Sequence, residues 1–261
     1  MKLKDQTILI TGGASGIGLG LAEAFKQLGN QVIVAGRSAT KLQMAKSKGL
    51  ETLTVDMTDA KSIQSLASEA MGRYPDLNCV IHSAGIMQNE KLSKGNSSKA
   101  VTDTVLTNIL GPMLLNNALL PHFLKQKNAT IMTVTSGLAF LPLAMTPTYS
   151  ASKAAIHSYT ESLRYQLCDT AIEVKELVPP YVRTSLMGER QAADQNAMPL
   201  EAYIAEVMEI LKRNPEASEI VVKNAALFRE ASFQGAAHYA ELFQKRNDFF
   251  MSVRKKEWEE L

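Results

Sequence analysis

Tyr149 and Lys153 stand four residues apart in Tyr149-Ser-Ala-Ser-Lys153, and Ser136 precedes them at the end of an apolar run. On a helix this spacing puts both side chains on one face, one turn apart. A free phenol ionises near pH 10, too high for easy proton exchange at neutral pH. A cation within a few ångströms favours the phenolate and lowers that value. The phenol can then give a proton to a reacting oxygen, or take one from it. Ser136 closes Ala129-Thr-Ile-Met-Thr-Val-Thr-Ser136, which reads as a buried strand. A hydroxyl at the carboxyl end of such a strand lies where open α/β sheets bind ligands. A tyrosine and a lysine at this spacing also arise by chance on many helices, so the pair takes its weight from the rest of the chain.

The elements around it alternate. Tyr149–Leu167 predicts a helix, since no Gly or Pro interrupts it. Thr7–Thr11 reads as a β-branched strand, Gly12-Gly-Ala-Ser-Gly16-Ile-Gly18 as a turn, and Leu19–Leu28, closed by Gly29, as a helix. Strand, glycine turn and helix start form a phosphate cradle. Gly12 permits the turn, Gly16 lets backbone approach a pyrophosphate, and Gly18 lets helix and sheet pack closely. The helix N-terminus adds free N–H groups. Further strands are expected at Gln31–Ala35, Glu51–Val55, Asn78–Ile81, Ile172–Val178 and Glu219–Val222. Helices are expected at Ser98–Lys125 and Leu200–Arg213. This pattern predicts an α/β fold in one domain over residues 1–261, a Rossmann-type doubly wound parallel sheet with helices on both faces.

Thr11-Gly12-x-x-x-Gly16-Ile17-Gly18 resembles, with Ser136 and Tyr149-x-x-x-Lys153, the short-chain dehydrogenase/reductase family, over roughly residues 4–225. The early sequence also resembles that family's DltE-like oxidoreductases. The resemblance implies an NAD(P)-dependent oxidoreductase that moves a hydride between nicotinamide and a carbonyl or alcohol substrate. Ser136 would hold the substrate oxygen and Tyr149 would exchange the proton. Lys153 would lower the tyrosine pKa and hold the nicotinamide ribose, and Asn108 would hold a relay water. Cofactor contacts would come from Gly12, Ser15, Gly16, Ile17 and Gly18 in the turn. Asp56 and Met57 would contact the adenine, with Ala84 and Gly85 beside the adenosine. Pro179, Val182 and Thr184 would meet the nicotinamide and pyrophosphate. At the end of the second strand Gly36 offers no carboxylate and Arg37 offers a fork of donors, which favours NADP(H) over NAD(H). Arg37 also reads as a solvated loop residue, and NADP-preferring relatives often carry a Lys or Arg where Ser15 stands.

His82-Ser83 replaces the family's Asn-Asn, and Pro180 replaces a Gly. His82 reads as a structural histidine rather than a metal ligand. Residues 185–199 fall where the family has its substrate lid, with Leu186, Met187 and Met198 as candidate pocket residues. Ala139, Phe140, Leu141, Leu143 and Met145 make the preceding loop apolar enough for a pocket or a subunit interface, and the sequence leaves both open. The segment 224–261 reads as a helical extension with Phe249, Val253 and Trp258 roughly on one side.

Composition narrows the classes. A net charge of +2 implies no nucleic acid and no membrane surface. No apolar run approaches the roughly 20 residues of a membrane span. Cys79 and Cys168 read as buried, reduced thiols of a cytoplasmic protein. The partners expected are a small-molecule substrate and, by default, further copies in a homodimer or homotetramer. The alternative function is a non-catalytic nucleotide sensor on the same fold.

Overall fold

Alternate residues of the central strands face opposite sides, and both sides are apolar, which is what a parallel sheet covered on two faces requires. The computed structural model describes residues 1–260. Its strands are β1 (Thr7–Thr11), β2 (Gln31–Gly36), β3 (Glu51–Thr54), β4 (Leu77–His82), β5 (Ala129–Val134), β6 (Ile172–Val178) and β7 (Glu219–Val221). They form one parallel sheet in the order β3-β2-β1-β4-β5-β6-β7. The helices in chain order are α1 (Gly16–Gln27), α2 (Ala39–Ser47), α3 (Ala60–Arg73), α4 (Ser98–Val105), α5 (Gly111–Phe123) and α6 (Pro147–Gln166). They continue as α7 (Glu189–Ala193), α8 (Leu200–Arg213), α9 (Lys223–Glu230), α10 (Ala236–Val253) and α11 (Lys255–Glu260).

Ile8, Ile10, Val32, Val34 and Ile81 pack on one side with Phe25 of α1 and Tyr203 of α8. Leu9, Ile33, Val80 and Ile131 pack on the other with Leu66 of α3 and Leu119 of α5. Each large side chain so buried contributes roughly 1.5–3 kcal/mol. The winding reverses between β1 and β4, so the loops leaving these neighbours diverge and open a crevice at their carboxyl ends. The doubly wound reading holds throughout.

Three expectations change. Ser98–Lys125 is not one regular helix: α4 and α5 are joined by a π turn at Leu106–Leu110, and Asn108 lies in it. Cys79 is fully buried in β4, but Cys168, in the turn after α6, is exposed. In the C-terminal segment Phe249 and Val253 are exposed, whereas Phe250, Met251 and Trp258 pack on Leu138, Leu143, Met145 and Tyr149. The helix breaks at Arg254, whose backbone turns to φ −115°, ψ 23°. That break resets the face on which Trp258 emerges. The last residue of that segment, Leu261, lies outside the described residues.

Candidate active site

Helix α6 starts with Pro147 in its first turn, where a missing N–H costs nothing. The buried Glu90 carboxylate meets this end, accepting from Thr148 N at 3.1 Å and from Thr148 Oγ1 at 2.8 Å. The helix then carries Tyr149 and Lys153 inward, 8% and 6% exposed, beneath the end of β5. Lys153 Nζ donates to the Val134 carbonyl at 2.8 Å and lies 5.5 Å from the centre of the Tyr149 ring. Ser136, just past β5, accepts from Leu138 N at 3.1 Å, and its hydroxyl interacts with the Tyr149 phenol.

Asn108 stands behind this group. Its Oδ1 accepts from Ile86 N at 2.9 Å, and its Nδ2 donates to Ile86 O and Ser152 Oγ, both at 3.0 Å. A Cβ placed on Gly85 would lie 3.4 Å from Asn108 Oδ1 and 3.7 Å from Lys153 Nζ, so the loop after β4, the π turn and α6 converge there. Ser136, Tyr149 and Lys153 line one cavity of about 420 Å³, and Asn108 braces its wall.

The electrostatics differ from the sequence expectation. Burial pushes the Tyr149 phenol up to about 12, partly offset by Ser136. Burial sets the direction here, and the Lys153 ammonium donates to the Val134 carbonyl. Burial lowers Lys153 to about 8, with the Glu176 carboxylate pulling the other way. At neutral pH the pair is therefore a protonated phenol beside a cation, a state suited to giving a proton.

The cavity extends from Tyr149 to the glycine turn and past the end of β2. Gly12, Ser15, Gly16, Ile17, Arg37, Asp56, Met57, Ala84, Gly85, Pro179, Val182 and Thr184 all line it. Gly18 does not: a Cβ there would stand 2.6 Å from Gly12 O, so this glycine lets α1 pack on the turn itself. A Cβ on Gly12 would stand 2.7 Å from Ala84 Cα, and φ is +66°, so only glycine fits. Asp56 Oδ1 accepts from Thr58 N at 2.9 Å and from Thr58 Oγ1 at 2.8 Å, bonds that hold the carboxyl below its ordinary range. Asp59, not Asp56, caps α3.

Sequence reasoning missed two residues. Lys41 of α2 lines the cavity near Arg37, and its sequence position alone does not mark it. Gln191, buried in α7, ties the lid to the wall. Its Nε2 donates to Val182 O at 2.8 Å, and its Oε1 accepts from Met187 N at 3.0 Å. Of the expected lid residues, Leu186 and Met187 line the pocket. Met198 does not reach that site. It bridges to Val182 and packs its side chain against the sheet core.

The two departures find local accommodation. His82 Nε2 bonds Asn116 Oδ1 of α5 at 2.7 Å, Nδ1 is buried without a partner, and burial lowers the ring to about 4. It is a neutral structural residue outside the cavity. The Pro179 carbonyl accepts from Gly137 N at 2.9 Å, so the Pro-Pro step is fixed to the segment after Ser136. The apolar loop turns inward. Leu138 and Leu143 line a narrower chamber of about 60 Å³ that continues from Tyr149 under α10, and Leu141 is fully buried.

Comparison with known proteins bears on the family and the fold. Residues 6–195 match the family model described as short chain dehydrogenase. The chain is 38% identical to the uncharacterized oxidoreductase DltE of Bacillus subtilis (strain 168), over 95% of this chain and 98% of that one. A short chain dehydrogenase from Burkholderia cenocepacia J2315, solved in complex with NADP, superposes with a TM-score of 0.78 at 22% identity, covering 95% of this chain and 99% of that one. One from Burkholderia phymatum, in complex with NAD, gives 0.76 at 20% identity over 90% and 95% of the two chains.

Proposed function

The chain belongs to the short-chain dehydrogenase family, and on that footing we propose that it transfers a hydride between NADP(H) and a carbonyl or alcohol substrate, with Tyr149 as acid and base. The observation that carries this reading is the meeting of Ser136, Tyr149 and Lys153 on one cavity, braced by Asn108. The donors of that cavity fit a dinucleotide. The α1 N-terminus lies behind Ser15 and Gly16 for a pyrophosphate, and Gly12 leaves room that a Cβ would fill. NADP(H) is favoured because Arg37 and Lys41 flank a strand end that carries no carboxylate. The two similar structures hold NADP and NAD respectively, so the preference rests on these side chains.

When bound, the nicotinamide supplies or accepts the hydride. In reduction the Ser136 hydroxyl holds the carbonyl oxygen and the Tyr149 hydroxyl gives it a proton; in oxidation the phenol receives one. Protonated Lys153 stabilises the negative charge left on the phenol. Asn108, whose amide bonds Ile86 and Ser152, holds the relay water in this reading. Reduction is the favoured direction, following NADPH. The same reading carries cytoplasmic location and a homodimer or homotetramer, which light scattering tests. Among the described residues no helix is long and apolar enough to cross a membrane.

Tyr149→Phe is the discriminating variant. NADPH affinity, followed by nicotinamide fluorescence, is expected to stay within about twofold, while turnover falls on the order of 10²–10⁴-fold. Unchanged turnover overturns the mechanism. A sensor without catalysis predicts no turnover in either protein.

A further inference from the structure

Arg246 of α10 lies at the wall of the narrow chamber that begins at Ser136 and Tyr149. Its Nε is buried without a hydrogen-bond partner, and among the described residues its guanidinium makes no ion pair. It rests on aromatic faces instead, 4.1 Å from the centre of the Phe228 ring and 5.1 Å from that of Phe250. Other arginines of this region are answered. Arg229 also lies over two rings, yet it holds Glu219 with two bonds of 2.6 and 3.0 Å. Arg254 donates to the Tyr181 hydroxyl at 3.0 Å. The nearby acids of α10 are occupied, Glu241 by Lys245 and Asp248 by Gln244. The guanidinium is half-buried on these rings, and a charge partly withdrawn from water with its Nε donor unanswered favours an anionic partner.

The position of this charge relative to the reacting end is set by one ring. A Cβ on Gly137 would stand 2.7 Å from Phe228 Cδ2, so that ring lies directly against the backbone following Ser136. The same ring carries the guanidinium. Between the two ends Met87, Leu138, Leu143 and Phe250 give the chamber apolar walls, and Gln191 and Arg254 line it as well. We propose that this chamber binds a substrate bearing a carboxylate, with Arg246 as the anchor for the acid group and a short apolar body reaching back to Tyr149. The inference rests on the hydride-transfer reading of the site and names its substrate class: an oxo acid in reduction, the corresponding hydroxy acid in oxidation. In reduction the carbonyl carbon takes the hydride from NADPH, the oxygen takes the proton from Tyr149, and the carboxylate leaves as it entered. Burial lowers Arg246 only to about 10, so it is charged at neutral pH and can pair with such an anion.

Trp258, the single tryptophan of the chain, packs on the cluster of Leu138, Leu143 and Tyr149 and reports occupancy of the chamber. The test titrates the full-length protein, without cofactor, with benzoate and with benzamide, following tryptophan fluorescence. Benzoate is expected to saturate at concentrations at least tenfold below benzamide. Arg246→Met is expected to abolish that preference. Arg246→Gln, which keeps a polar group against the rings, is the second variant and is expected to lose it as well, with a thermal midpoint near that of the parent. Equal responses to the two probes, no saturable response to either, or a preference that survives Arg246→Gln each overturn the proposal. A parallel loss of both probes in Arg246→Gln also overturns it, by making the residue a structural support only. None of these readings depends on turnover, so a failure of the hydride-transfer assignment is seen separately with Tyr149→Phe.

Discussion

Lys153 is held in the folded protein as a cation that burial disfavours. It releases its proton near pH 8 when folded, against 10.5 when exposed. Between those values the unfolded chain binds more protons, so this group makes stability rise with pH there and costs stability below. Lys153→Met is expected to raise the thermal midpoint at pH 7 by a few degrees while abolishing turnover, a trade between stability and activity that calorimetry and an NADPH assay would reveal together. The reduction rate of the parent is expected to fall as pH rises through about 8, where Lys153 loses its charge. At the other end of the cavity, Arg37→Ala and Lys41→Ala are each expected to weaken NADPH roughly tenfold, as loss of a charged hydrogen bond would, and to leave NADH unchanged in fluorescence titrations. The sequence made the tyrosine–lysine pair and Arg37 legible, because type and spacing carry that information. It did not reveal that the lysine faces the Val134 carbonyl or that the phenol is raised, since both follow from burial by distant segments. Lys41 escaped for a similar reason: only the placement of α2 turns an ordinary helix lysine toward the cavity.

The π turn shows what element-level reading loses. Apolar spacing indicated a helix over Ser98–Lys125, and a helix is there, but one widened turn within it leaves no sequence period of its own. Gly111 fixes that turn against the segment that follows β3. A Cβ there would stand 2.7 Å from Met57 O, a backbone atom that cannot swing aside. Gly111→Ala is expected to destabilise the protein by about 1–3 kcal/mol in urea unfolding. It is expected to slow turnover as well, because Asn108 and Met57 would shift together. Helix α6 is fastened to β6 by the half-buried His157 and the buried Glu176. His157 Nδ1 lies 2.9 Å from Glu176 Oε2, and Thr135 Oγ1 donates to Glu176 Oε1 at 2.6 Å. This bond raises His157 above its ordinary value, with Glu161 and Glu219 adding to it. The stabilisation is full below about pH 6.5 and fades as pH rises through the raised value. The difference in melting temperature between the parent and His157→Gln is therefore expected to shrink from pH 6 to pH 9. Neither partner was singled out from sequence, for His157 and Glu176 lie on separate elements that only the crossover brings together.

Across the whole molecule the doubly wound parallel sheet followed from the alternation of strands and helices, whereas the order of its strands came only from the structure. The C-terminal segment was not legible, because the break at Arg254 separates residues that a continuous helix would align. Phe250→Ala is expected to raise the KM of the carbonyl substrate about tenfold and leave the NADPH dissociation constant unchanged, since that ring lines the chamber under α10 and no part of the cavity that runs from Tyr149 to the glycine turn. Steady-state kinetics beside fluorescence titration would show the split. The match to the family model stops at residue 195, whereas Phe228, Arg246 and Phe250 all lie beyond it. On the proposed reading the reacting residues lie inside that match and the acid-binding end of the chamber lies beyond it, while Met87, Leu138 and Leu143 of its wall lie inside. Recombination beyond residue 195 would then exchange the far end of the chamber and leave the proposed proton donor in place.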